Sequence, residues 1–300
     1  MNNSKSINSN NWREHPNNEW SFQNIEKLFS TQRIKKGDQK PSKFIVKNAP
    51  IDKIEFSNLE GKKQTIRKML ANGYADSFLV LKEGKIIYEE YFNGMSQSSL
   101  HLINSISKNF LGMLTGILKE NKLIDPNKKI SEYVSEFRQS AFSETTLRHA
   151  LDMTAAVKYD ETYDNPNADF WHETSTVGWN PCLEKENPSN LLDYALSIEE
   201  KEQLDGSSYH YRTILTNIIA ITIEAATEEK MSHLLETLIW QKLLPEQDLL
   251  MVVDNKDYPY MGAGLNACTR DLARFGQMLL QQGTFNGNSV IPASWIQETV

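Results

Sequence analysis

The pattern of apolar and polar positions predicts a strand pair and a long buried helix in the first half of the chain. Ser77–Lys82 and Lys85–Phe92 are apolar-rich segments separated by Glu83-Gly84, which is typical of two antiparallel strands joined by a tight turn. Apolar residues then recur at helical spacing from Ile106 to Leu118. Because this apolar stripe is broad, we expect the helix to be central and buried.

Further helices are predicted at five places. Lys62–Asn72 is followed by Gly73 and Thr269–Gln282 by Gly283, and a glycine just past a helix commonly ends it. Apolar residues at helical spacing predict the other three, Leu191–Leu204, Ile214–Thr227 and Ser232–Leu243.

The order of these elements predicts an α/β (α+β) fold, in which an antiparallel sheet flanked by helices is interrupted by a mostly helical domain. Residues 1–18 are polar and rich in Asn, and we expect a flexible arm there. Residues 19–122 and 247–300 are assigned to the α/β domain, and residues 123–246 to the mostly helical domain. A chain of 300 residues, of which 39% are hydrophobic, can bury a core of this size.

Composition and charge exclude several functional classes. The net charge of −7 and the lack of a Lys/Arg-rich run argue against nucleic-acid binding. Cys182 and Cys268 have no metal or redox spacing, and the six histidines form no metal-binding motif, so we expect neither a metal nor another cofactor. No apolar run could span a membrane, and the polar start of the chain favours a cytoplasmic protein. A small-molecule substrate is expected, and a homodimer is left open.

Two short motifs suggest a serine nucleophile served by lysine and tyrosine. In Ser105-Ile-Ser-Lys108 the two functional groups are three residues apart, and such positions share one face of a helix. Tyr211-Arg-Thr213 follows about a hundred residues later. A serine hydroxyl needs a neighbouring base before it can attack a carbonyl carbon. The alternative is an ordinary helix cap followed by a solvated lysine, since a Ser-x-x-Lys match occurs about once by chance in such a chain.

Eight segments spread along the chain carry a resemblance to a known protein family. They are Trp20–Phe22, Phe78–Leu81, Ser105–Lys108, Leu151–Met153, Tyr159–Tyr163, Gly178–Trp179, Tyr209–Arg212 and Asp271–Gly276. Together they resemble the serine β-lactamase and penicillin-binding protein superfamily, in its class C and esterase branch. Within that branch they are most similar to the 6-aminohexanoate-dimer hydrolases, which cleave nylon by-product amides.

The resemblance implies a serine hydrolase that cleaves small esters or linear amides. Ser105 would be the acylated nucleophile, and its backbone amide would form half of the oxyanion hole. Lys108 would be the general base, and Tyr211 would relay the proton to the leaving group. Two alternatives stay open, a β-lactamase or D-amino peptidase and a binding protein that keeps the fold without catalysis.

The same resemblance suggests three substrate-binding residues. Thr213 stands where much of the superfamily has asparagine, and a small hydroxyl residue there is typical of the nylon-hydrolase branch. Tyr163 and Trp179 lie in an aromatic-rich segment that could line the path of a linear apolar substrate. The alternative for this segment is an aromatic loop packed on the helical domain.

The superfamily's third motif has no counterpart in the sequence. That motif is Lys or His two residues before Gly, on an inner strand, and no glycine after Tyr211 has either residue at that distance. The sequence ends at Val300, inside a helix that begins near Pro292. We therefore expect C-terminal strands to be missing, with little activity in residues 1–300 alone.

Overall fold

The described residues of the computed structural model, 7–181 and 189–299, form strands β1–β11 and helices α1–α11. The strands are β1 (Thr31–Ile34), β2 (Ile45–Val46), β3 (Glu55–Ser57), β4 (Lys63–Thr65), β5 (Ser77–Lys82), β6 (Lys85–Tyr91), β7 (His101–Leu102), β8 (Leu249–Val252), β9 (Leu265–Ala267), β10 (Thr284–Phe285) and β11 (Asn288–Ser289). The helices are α1 (Asn17–Ser21), α2 (Ile66–Asn72), α3 (Ser107–Glu120), α4 (Ile130–Tyr133), α5 (Leu147–Leu151), α6 (Asp169–Ser175), α7 (Leu191–Leu196), α8 (Thr213–Thr227), α9 (Met231–Leu235), α10 (Thr269–Leu280) and α11 (Ala293–Thr299). Cys182 lies outside the described residues.

The sheet that leads into the predicted nucleophile has four strands in the order β1-β8-β9-β7, and each neighbouring pair is antiparallel. All residues of β8 and β9 are buried, as expected for the middle of a sheet covered on both faces. The hydrogen bond from Ile103 N–H to the Leu265 carbonyl oxygen (2.9 Å) continues the β7–β9 pairing by one residue. The chain just before Ser105 is therefore anchored to the core sheet.

The predicted strand pair is confirmed as β5 and β6, which pair antiparallel in a second sheet of order β2-β6-β5. Glu83 and Gly84 form the turn, with φ angles of +52° and +72°. Two successive residues in the left-handed region are typical of the two-residue hairpin turn whose twist matches that of the strands.

The predicted central helix is confirmed as α3, and its apolar residues are buried. Phe110 stacks on Phe275 of α10, with ring centroids 4.0 Å apart. On another side, the Trp295 indole N–H donates to the Gly112 carbonyl oxygen (2.9 Å). A Cβ at Gly116 would lie 2.2 Å from the Trp295 ring, so only glycine fits there. The helix that carries Lys108 is thus held in place along most of its length.

Two predicted helices are shorter than expected. The segment Lys62–Asn72 begins as strand β4, and α2 starts only after Thr65, whose hydroxyl caps the helix by accepting from Lys68 N–H (3.2 Å). The segment Leu191–Leu204 is helical only in α7, and the following chain forms an isolated bridge between Lys201 and Val157. In the first place a local strand pair replaces part of the predicted helix, and in the second an isolated bridge does so.

The other helical predictions hold, with local irregularity in one. Helices α8 and α10 lie within a residue or two of their predicted bounds. The segment Ser232–Leu243 is helical throughout but changes its winding, from α9 to a π-helical turn at Glu236–Trp240 and a 3-10 turn at Gln241–Leu243.

The expectation of a flexible arm is wrong for residues 7–18. Trp12 is buried, with 1% of its surface exposed, and its indole N–H donates to the Trp179 carbonyl oxygen (2.9 Å). Ile7 is buried in the same cluster. Burial of the Trp12 indole stabilises the packing of residues 7–18 on the core, which the polar composition of this segment did not suggest. Between α3 and β8 the described residues form helices α4–α9 and no named strand, and the division into two domains at those points stays a prediction.

Candidate active site

Ser105 lies in a strained turn between β7 and α3. The turn is a 3-10 segment, Asn104–Ile106, and Asn104 adopts a φ of +44°, which is uncommon for a residue other than glycine. The buried Ser107 secures the turn, because its hydroxyl donates to the Asn104 carbonyl oxygen (2.6 Å) and accepts from Leu265 N–H (3.0 Å). Backbone strain of this kind persists only where surrounding contacts enforce it. The result is an exposed serine hydroxyl at the start of the central helix.

Lys108 reaches back to Ser105 as the motif spacing predicted. Its Nζ lies 3.1 Å from Ser105 Oγ, 3.3 Å from Thr213 Oγ1 and 2.6 Å from the Gly262 carbonyl oxygen. Within the part of the chain that the structure describes, Lys108 Nζ forms no ion pair with a carboxylate. Three neutral oxygen atoms therefore hold this amine.

Tyr211 is the second group on the Ser105 hydroxyl. Its phenol donates to Ser105 Oγ (2.8 Å), and Lys108 Nζ lies 4.9 Å from the centre of its ring. Arg212 between the two motif residues has extended backbone angles, and its buried guanidinium pairs with Glu202 (2.7 Å). Because side chains alternate along extended backbone, Tyr211 and Thr213 point to the same side, towards Ser105. This alternation explains the Tyr-x-Thr spacing.

A carboxylate that sequence reasoning missed extends the site on the Thr213 side. Thr213 donates both its backbone N–H and its hydroxyl (Oγ1 to Oε1, 2.5 Å) to Glu161. Glu161 also accepts from the phenol of Tyr163 (2.8 Å). Burial of the ring and the hydrogen bond to this carboxylate raise the pKa of Tyr163. Tyr163, whose side chain is 58% exposed, therefore stands at the rim of the same site.

A buried polar chain, also missed from the sequence, lies behind Lys108. The Gly262 N–H donates to Asn217 Oδ1 (2.9 Å), and the Asn217 amide donates to Glu173. Glu173 has no exposed surface, and burial raises its pKa to about 8. The sequence carried one signal for this chain, since Asn217 is the one amide side chain among the aliphatic and threonine residues of the first three turns of α8.

Trp179, a predicted substrate contact, is placed differently from the other site residues. Its ring is 3% exposed and packs against Trp12 and Tyr260, with centroid distances of 4.9 and 5.0 Å. The structure thus brings together Ser105, Lys108, Tyr211 and Thr213, links Tyr163 through Glu161, and places Trp179 in an aromatic cluster.

Membrane-spanning helices and metal-binding clusters were two further features to look for in the described residues. None of the helices in residues 7–181 and 189–299 has the length and apolar character needed to cross a bilayer. The same residues contain no group of three His, Cys, Asp or Glu side chains arranged to hold a metal ion.

Comparison with known proteins shows the family of the chain. The sequence profile of the beta-lactamase family matches residues 63–295. The chain is 26% identical, over 292 residues, to 6-aminohexanoate-dimer hydrolase of Paenarthrobacter ureafaciens, a match that covers 96% of this chain and 71% of the relative. This chain therefore belongs to the beta-lactamase family.

Solved structures also match the fold of this chain. A Bacillus anthracis protein provisionally described as a 6-aminohexanoate-dimer hydrolase superposes with a TM-score of 0.91 at 26% identity, covering 98% of this chain and 76% of that one. A class C beta-lactamase shares the fold, with a TM-score of 0.56 at 16% identity over 78% of this chain and 66% of its own. The chain is a serine hydrolase of the amidase and esterase type, and the family resemblance, fold class and enzyme class expected from the sequence are confirmed.

Proposed function

We propose that this member of the beta-lactamase family cleaves small esters or linear amides through an acyl intermediate on Ser105. One observation carries the proposal: Ser105 Oγ lies within hydrogen-bonding distance of both Lys108 Nζ (3.1 Å) and the Tyr211 phenol (2.8 Å). A nucleophile needs a base and a proton path within such distances.

In the proposed first step the neutral Lys108 amine takes the proton from Ser105 Oγ. The oxygen attacks the substrate carbonyl carbon, and the carbonyl oxygen becomes an oxyanion. The Ser105 backbone N–H serves as one donor to that oxyanion. The Lys108 amine is held beside Ser105 Oγ by its contacts with Thr213 Oγ1 and the Gly262 carbonyl oxygen.

The second step releases the alcohol or amine. Lys108 returns its proton through the Tyr211 hydroxyl to the leaving atom, and the carbon–oxygen or carbon–nitrogen bond breaks. Water then attacks the Ser105 ester, with the same two side chains removing its proton and protonating Ser105. An amide needs this proton more than a nitrophenyl ester does, since an amine leaves poorly without it.

The proposed substrate class is a linear amide or ester with an apolar chain. The relatives described as 6-aminohexanoate-dimer hydrolases support this class. Tyr163 offers an exposed ring at the rim, and Glu161 beside it offers a negative charge that would attract an amine. Thr213 would contact the substrate near the nucleophile. Trp179 would act through the aromatic cluster that supports this wall of the site.

The test is to identify the acylated residue. The protein is incubated with a slowly hydrolysed nitrophenyl ester or a fluorophosphonate, and peptides are analysed by mass spectrometry. We expect the adduct on the Ser105 peptide and none in Ser105→Ala, whose folding is checked by circular dichroism. An adduct on another residue, with Ser105 unmodified, would refute the proposal.

Substrate choice is tested on the same preparations. Initial rates are compared for a nitrophenyl ester, the linear 6-aminohexanoate dimer and a chromogenic cephalosporin. We expect turnover of the first two to exceed that of the third. Faster cleavage of the cephalosporin would favour a β-lactamase instead, and a folded protein that forms no adduct would favour a non-catalytic role.

A further inference from the structure

A chain of buried hydrogen bonds connects Lys108 to the helical side of the core. The Lys108 amine donates to the Gly262 carbonyl oxygen, which is its shortest contact at 2.6 Å. The N–H of the same glycine donates to Asn217 Oδ1 (2.9 Å). Asn217 donates to Glu173, which also accepts from the Tyr159 phenol. Each member thus has a partner on both sides up to the carboxyl group.

The position of Gly262 depends on this chain. A Cβ at residue 262 would lie 2.4 Å from the Thr213 methyl carbon, so the backbone passes too close to α8 for any side chain. The Gly262 N–H can only donate. Asn217 must therefore present its side-chain oxygen to Gly262 and its side-chain NH2 group to Glu173. The Gly262 N–H therefore sets which way the Asn217 amide faces, and Glu173 accepts from the side-chain N–H in that orientation. An Asn217 amide turned the other way would leave two N–H groups facing each other.

We propose that Asn217 and Glu173 are positioning residues for Lys108, which hold the Gly262 peptide so that its carbonyl oxygen keeps the Lys108 amine beside Ser105 Oγ. The inference rests on the proposed function of Lys108 as the base. Neither residue touches the reacting atoms. Asn217 acts on the site through the Gly262 peptide, and Glu173 acts through Asn217 and, when ionised, through its charge.

The protonation state of Glu173 matters for the base. The titratable groups that face it are Tyr159, Tyr194, Tyr260, Glu161 and Lys108. Burial raises the pKa of Glu173 to about 8, and Glu161 acts in the same direction while Lys108 and the two hydrogen bonds oppose it. At neutral pH the carboxyl group is therefore mostly neutral. Above about pH 8 the ionised carboxylate would place a negative charge behind Gly262, and we expect this charge to slow the proton transfers at Lys108.

The experiment compares four variants by steady-state kinetics on a nitrophenyl ester and by the rate at which a fluorophosphonate labels Ser105. We expect Asn217→Ala and Glu173→Leu to lower kcat and the labelling rate by about 10²-fold with little change in KM, as for other small displacements of a catalytic group. The conservative Glu173→Gln should recover most of the rate at pH 7. Tyr194→Phe is the matched control. It removes a buried phenol that donates to the Asp169 carbonyl oxygen (2.9 Å), off the path to Lys108.

The pH profile separates positioning from general destabilisation. In the unaltered protein we expect kcat to fall near pH 8 as Glu173 ionises, and Glu173→Gln should lose this fall while Tyr194→Phe keeps it. If Asn217→Ala or Glu173→Leu does not fold, the Glu173→Gln profile decides. A fall at the same pH in Glu173→Gln would overturn the inference.

Variants of Ser105 and Lys108 distinguish a failure of this inference from a failure of the proposed function. If Ser105→Ala and Lys108→Ala are inactive while folded Asn217→Ala keeps the full kcat, the positioning inference fails and the proposed function stands. If Lys108→Ala itself keeps full activity, the proposed function fails first.

Discussion

Lys108 and Arg274 are two basic side chains held inside the same chain by different means. Arg274 is fully buried, and its guanidinium pairs with the carboxylates of Asp271 (2.9 Å) and Glu246 (2.8 Å). Lys108 is partly buried and bonds to a hydroxyl, a second hydroxyl and a peptide carbonyl. Two carboxylates therefore balance the charge of Arg274, whereas Lys108 Nζ contacts only neutral polar groups.

This difference separates a structural cation from a candidate base. A neighbouring carboxylate stabilises the charged form of a basic group, and a guanidinium stays protonated under all ordinary conditions. Arg274 is therefore a permanent charge that joins α10 to Glu246 and to the Ser42 hydroxyl (2.9 Å). Lys108 Nζ instead contacts three neutral oxygen atoms. The carboxylate of Glu161 accepts from Thr213, which is one of the three contacts of Lys108 Nζ.

The largest effect on kcat should follow from placing a permanent charge at position 108. Lys108→Arg keeps a cation but cannot act as a base, and Lys108→Ala removes both. We expect each to lower kcat by 10³-fold or more, about the cost of losing one member of a catalytic unit. Tyr211→Phe should approach the same loss with an amide substrate. A Lys108→Arg variant with near-normal turnover would show that charge, not proton transfer, is what the site needs.

The second effect should appear at Arg274, in stability. Arg274→Ala leaves the buried Asp271 without its cation and the partly buried Glu246 with only the longer contact to Arg270 (3.8 Å). Breaking such a buried pair costs about 3–5 kcal/mol in the free energy of unfolding. Denaturant unfolding should show this loss, whereas kcat per folded molecule should stay unchanged. Arg274→Lys is the control, and it should recover part of the stability. A large loss of kcat in the folded Arg274→Ala protein would contradict the distinction between the two cations.

Glu173 gives a third effect, which depends on pH. Its pKa in the folded state is about 8, above the ordinary value of 4.5, because burial disfavours its charge. For a raised pKa, the proton-linked stabilisation is complete below about pH 4.5 and is lost as pH rises through 8. Each pKa unit corresponds to about 1.4 kcal/mol, so the loss is a few kcal/mol.

The measurement is the free energy of unfolding at pH 5 and pH 9 for the unaltered protein and for Glu173→Gln. The unaltered protein should lose more stability between these pH values, because glutamine does not titrate. Equal losses in both proteins would mean that Glu173 is not the buried acid described above.

The smallest effect should come from Thr213, which separates Lys108 from Glu161. Thr213→Val removes one neutral acceptor of the amine and the hydroxyl donor to the carboxylate. We expect kcat to fall about tenfold, the scale of one hydrogen bond to a charged group. Thr213→Ser keeps the hydroxyl and should stay near the original rate, so steady-state kinetics on both variants is decisive. A Thr213→Ser variant as impaired as Thr213→Val would point to packing against Gly262 instead.

Local patterns in the sequence determined several parts of this structure. The spacing of Ser105 and Lys108 placed both groups on one side of a helix start, and the observed 3.1 Å contact follows from that geometry. The β5–β6 pair and helices α3, α8 and α10 follow from periodicity and turn residues. Their catalytic interpretation rested on family resemblance, because a Ser-x-x-Lys motif alone is too common to identify a site.

Only the tertiary structure decided what surrounds Lys108. Besides Ser105, the residues that hold it, directly or through one another, come from three separate parts of the chain: Glu161 and Glu173, Thr213 and Asn217, and Gly262. No local period links these positions, since their relation arises from the packing of α8 against the β8–β9 connection. The same limit explains the docked Trp12 and the short α7, where long-range contacts outweigh local propensity. The sequence by itself determined the reactive pair, whereas packing decided which atoms hold Lys108 beside Ser105.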